Sequence, residues 1–130
     1  MDKLNEYERF ELYHFYYHLL NTVQEGLDYV LESFHRLELN EAEKVFSDIM
    51  RAFYHIDSSN VLILDKTAEE DPQLTLQIRR FDEVINELDH LEFMYFQPLT
   101  YETYLKDRLA PAFISWREGI QTRLQPYILH

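Results

Sequence analysis

Leu12-Tyr-His-Phe-Tyr-Tyr-His-Leu-Leu-Asn-Thr-Val-Gln-Glu-Gly-Leu-Asp-Tyr-Val-Leu-Glu-Ser-Phe34 decides the fold. At about 100° per residue, Leu12, Tyr16, Leu19, Leu20, Val23, Leu27, Val30, Leu31 and Phe34 fall on one broad face, the pattern of a long amphipathic helix. Extended to its flanks, this reading gives a first helix over residues 4–37. Asn40 and Glu43 then stand at capping-box spacing, where the Asn side chain accepts from the third helical N–H and the Glu reaches back. They predict a second helix over 41–66 with Ala42, Val45, Ile49, Ala52, Phe53, Ile56 and Ile63 inward.

Asp71-Pro72 marks a third start, because proline suits the first turn and an acid complements the helix N-terminus. The third helix is expected over 72–96, with Leu74, Ile78, Phe81, Ile85, Leu88, Leu91 and Tyr95 inward and Gln97-Pro98 as its stop. Thr100 is the expected N-cap of a last helix over 101–128, whose inner line is Leu105, Leu109, Phe113, Trp116, Ile120, Leu124 and Tyr127. Pro111 lies inside that helix, removes a backbone donor and crowds the preceding turn, so a kink is expected near Asp107 and Arg108. Connections this short place neighbours antiparallel. The expectation is an all-α, up-down-up-down four-helix bundle forming a single domain over residues 1–130.

Composition narrows the function. Only two glycines and four prolines occur in 130 residues, too few for the turns of a sandwich or barrel. Twelve basic residues against 24 acidic ones give a formal charge of −12. That charge repels phosphate backbones and anionic lipid, so neither nucleic acid nor a membrane surface is an expected partner. Met1-Asp-Lys-Leu-Asn-Glu lacks the apolar core of a secretion signal, and no segment reaches the roughly 20 apolar residues of a membrane span. A cytoplasmic location is expected. With no cysteine, thiolate catalysis and thiolate metal sites are excluded.

Helical bundles often hold metals through Glu-x-x-His pairs on facing helices. Three pairs have this spacing: Glu11/His14, Glu32/His35 and Glu87/His90. An internal site needs its ligands to point inward, and Glu11 and His14 lie roughly 150° from the core line of the first helix. No cofactor is therefore expected. Glu11, His14 and His18 nevertheless share one outward strip, and His14 and His18 are four residues apart, the spacing that chelates a divalent ion. They are the candidates of the alternative reading, a metal-dependent four-helix enzyme built on surface Glu and His ligands.

Arg9, Glu92 and Arg123 map inward; each is expected either to snorkel to solvent near a helix terminus or to find a partner, Glu6 or Asn60 for the two arginines, with a small polar pocket at Glu92 as the sharper alternative. The stronger anomaly is aromatic excess: ten tyrosines, nine phenylalanines and one tryptophan exceed what the core stripes use. Phe10, Phe15, Tyr29, Phe46, Met50 and Tyr54 fall on flanks or outer faces, and Phe93-Met-Tyr-Phe96 with Tyr101 and Tyr104 makes a second cluster. Exposed aromatics and methionine mark protein interfaces. The first six are the expected partner-binding residues of a non-enzymatic interaction module, an adaptor, chaperone or regulator. Its partner is a basic or amphipathic protein, or a second copy in a homodimer.

Overall fold

The computed structural model describes residues 5–67, 70–92 and 98–128, and the regular structure among them is helical throughout. Helix α1 spans Glu6–His35. Its start is fixed by a capping box that the sequence reading did not use: Asn5 Oδ1 accepts from the Glu8 N–H at 2.8 Å, and the Asn5 N–H donates to Glu8 Oε1 at 3.2 Å. Its end is a Schellman turn. Leu37 adopts φ 62°, the Leu37 N–H donates to the Phe34 carbonyl at 3.0 Å and the Glu38 N–H donates to the Ser33 carbonyl at 2.8 Å.

Helix α2 spans Leu39–Thr67, so the expected start at an Asn40–Glu43 box is corrected. The turn at Leu37 is so tight that the Glu38 carbonyl already accepts the first bond of α2, from the Ala42 N–H at 3.0 Å. Asn40 is therefore inside the first turn. Asp71 caps α3, Pro72–Arg79, as expected, accepting from the Leu74 N–H at 3.0 Å. The single helix expected over 72–96 is divided: α4 runs Phe81–Glu92, and the Arg80 N–H is shared between the carbonyls of Leu76 and Gln77 at 3.3 and 3.2 Å. A shared donor of this kind marks a locally tightened turn.

Pro98 opens a helix where it was expected to close one. Helix α5 spans Pro98–Tyr104, which puts Thr100 within the helix and not at its cap. It runs into a π-turn, Leu105–Leu109, and then into α6, Ala110–Ile128. The Ala110 N–H donates to the Leu105 carbonyl, five residues back. This widened turn directly precedes Pro111, where a regular helix would press the proline ring against the Asp107 carbonyl.

One apolar cluster joins all the helices, from Tyr13 to Leu124. Its interior is aromatic: the Phe53 ring stands edge-on to Phe113 at 5.3 Å, and Phe81 meets Trp116 at 4.5 Å. The Trp116 indole donates to the Gln77 carbonyl at 2.8 Å while the Gln77 amide donates back to the Trp116 carbonyl at 3.3 Å. Gly119 makes this exchange fit, because a Cβ there would sit 2.3 Å from Gln77 Nε2 and 2.7 Å from its Cδ. Tyr16, fully buried, donates to Asn60 Oδ1 and ties α1 to α2. Burial pushes the Tyr16 phenol well above its ordinary range.

Candidate interaction surface on the first helix

The buried stripe from Tyr13 and Tyr16 through Leu20, Val23 and Leu27 sets the rotation of α1, which carries Tyr7, Glu11, His14 and His18 to the face opposite the core, with Phe10 and Phe15 on its two flanks. Tyr7 is 69% exposed, Phe10 38% and Phe15 57%. Phe10 stacks on His14 with ring centroids 5.3 Å apart and planes 23° from parallel. Tyr17 meets His18 edge-on at 5.9 Å. The two imidazoles meet edge-on, their centroids 4.4 Å apart and planes at 63°, with His14 Nε2 lying 3.2 Å from His18 Nε2. Glu11 does not join them but accepts from the Tyr7 hydroxyl at 2.7 Å, and this bond raises the Tyr7 phenol pKa. Among the described residues no group of three or more His, Asp and Glu side chains converges as a metal site would require.

The other expected contact residues divide. Tyr29 is 48% exposed and lies on the same side of α1, but 14 residues from Phe15 is about 21 Å of helix. Its hydroxyl donates to Glu41 at 3.1 Å, which raises the phenol pKa. Tyr54 is 45% exposed, on the side of α2 turned away from α1. Phe46 corrects the expectation outright: it is 3% exposed and edge-on to Tyr101 at 5.5 Å, because α2 is covered on more sides than one apolar stripe provides for. Met50 is half-buried against the same core. Of the second cluster, Phe93-Met-Tyr-Phe96 lies outside the described residues. Tyr101 is buried and Tyr104 donates to Glu87.

Arg9, expected to reach Glu6 or Asn60, pairs instead with Glu70 at 2.6 Å and lies over the Tyr127 ring at 5.9 Å. Tyr127 in turn donates to Asp71 Oδ2 at 2.5 Å and meets Tyr13 edge-on at 5.0 Å. Arg123 is exposed and not inward. The Glu92 side chain, and with it the expected polar pocket, lies outside the described residues. Among the described residues the buried polar ones are Ser33, Asn60 and Gln121. Gln121 donates to Asn21 Oδ1 at 2.8 Å, which also accepts from Arg117 at 3.1 Å.

Fold and surface together define an all-α protein whose first helix exposes aromatic rings and imidazoles among its carboxylates. The chain belongs to the family described as a domain of unknown function (DUF8042), which matches residues 11–119. It is similar to the uncharacterized protein YvzG of Bacillus subtilis (strain 168), 28% identical over 126 residues that make up 95% of this chain and 97% of that protein. No solved structure matches it. No described helix is long and apolar enough to cross a membrane.

Proposed function

We propose that this chain is a non-enzymatic interaction module, an antiparallel up-down-up-down four-helix bundle of one cytoplasmic domain that works through protein contacts made by α1. The observation that carries the reading is the large exposed aromatic area of Tyr7, Phe10 and Phe15, grouped within three turns of one helix whose opposite face is fully used by the core. Aromatic side chains bury large areas at low conformational cost, which is why they anchor interfaces. Tyr29 and Tyr54 are secondary contacts, since each stands apart from that group. The chain's charge of −12 selects a basic or amphipathic protein as partner and works against association with a second copy, nucleic acid or membrane.

A photo-crosslinking residue placed at Phe15 tests the reading in cells of the native host, with the same residue at the exposed Glu118 of α6 as reference. Discrete protein adducts from position 15 and none from 118 are expected. No adducts at 15, or equal adducts at both, would overturn it. Sedimentation of the purified chain over a wide concentration range then separates a foreign partner from a homodimer, and a monomer at every concentration is expected.

A further inference from the structure

We infer that His14 and His18 form a chelating site for a divalent late transition metal, zinc, nickel or copper, on the exposed face of α1. Two imidazole nitrogens bound to one zinc at about 2.0–2.1 Å in tetrahedral geometry are about 3.3 Å apart. His14 Nε2 and His18 Nε2 already stand at 3.2 Å, with ring centroids 4.4 Å apart and planes at 63°, so binding asks the rings to swing on their side-chain torsions without bringing the two nitrogens closer. Spacing alone gives every i,i+4 histidine pair a shared face; it does not turn both rings inward to this distance. Here the rings are held, His14 by the stacked Phe10 and His18 by the edge of Tyr17. Holding the ligands before the metal arrives reduces the ordering cost of binding.

Imidazole nitrogen suits zinc, nickel and copper and is a poor ligand for magnesium or calcium, which fixes the class of ion. Because Glu11 is engaged by Tyr7 and no third side chain converges among the described residues, the remaining coordination positions open to solvent between Phe10 and Phe15. The site is therefore a two-histidine chelate with exchangeable positions, unlike the closed ligand set of a structural zinc. This inference does not depend on the interaction reading, since it concerns the isolated chain.

Calorimetric titration of tag-free protein with zinc chloride and, separately, nickel chloride tests it. One ion per chain is expected, with affinity reduced at least about tenfold in His14→Gln and in His18→Gln, and unchanged in His55→Gln. The ion is also expected to raise the melting temperature of the wild type and not that of the doubly substituted chain. Circular dichroism of each variant confirms that the helices are kept. No binding by the wild type would mean that the 3.2 Å contact is only an imidazole hydrogen bond and would overturn the inference. Binding that survives the double substitution would place the ion on the acidic surface and overturn it equally.

Discussion

Leu37 is an exposed leucine in the left-handed conformation that glycine adopts without cost, at φ 62°. An L-residue there is strained by about 1–2 kcal/mol, and glycine gives part of that back through its more disordered unfolded chain. Leu37→Gly should therefore stabilise the protein by about 0.5–1 kcal/mol in urea unfolding, with the slope of the transition unchanged. Tyr16 is the opposite case. Its hydroxyl donates to a buried Asn60, so Tyr16→Phe keeps the ring and strands an acceptor, and should cost about 1–3 kcal/mol by the same measurement. The sequence carried only part of this. Asn5–Glu8 and Asn40–Glu43 spell the same capping pattern, and what separates them is Leu37, whose type gives no hint that it closes a helix. Phe46 reads as a flank residue because a single stripe cannot express a helix covered on several sides.

Between elements, the two glycines act as spacers of unequal strictness. A Cβ on Gly26 would meet Ile49 side-chain carbons at 3.2 Å, whereas one on Gly119 would overlap Gln77 at 2.3 Å and displace the amide that bonds Trp116. Gly119→Val should destabilise by about 1–3 kcal/mol, and Gly26→Ala by less, because the Ile49 chain yields by a few tenths of an ångström and alanine favours the helix. Thermal unfolding of the two variants side by side checks the order. The four helical stretches were legible because their apolar period runs for many turns. Their joints were not: whether Pro98 ends or begins a helix, or whether Arg80 breaks one, depends on packing partners far along the chain. Before Pro111 a π-turn, Leu105–Leu109, stands where a regular turn would crowd the proline ring.

At the scale of the molecule, two tyrosines link separate segments through carboxylates. Tyr104, by burial and then by its bond to Glu87, and Tyr127, by burial and then by its bond to Asp71, have phenol pKa values pushed up to about 12. Both favour the protonated phenol when folded. Their contribution is complete below the unfolded value near 10 and is lost as pH rises from there to about 12. Stability should therefore fall across that alkaline window, and Tyr127→Phe should flatten the fall; denaturant midpoints followed against pH test this. The candidate surface was visible in the sequence only as an aromatic surplus. Composition registers the excess and the apolar period places His14 and His18 on one outward strip, but how closely the two rings approach depends on the rotamers and ring contacts of Phe10 and Tyr17, which no pattern of residue types expresses. The Tyr127–Asp71 link also has a consequence in time. Asp71 leaves the ribosome 56 residues before the tyrosine that clamps it. During synthesis α1 and α2 are free to pair while the corner that follows them stands open, and that corner closes only when the final turn of α6 has arrived.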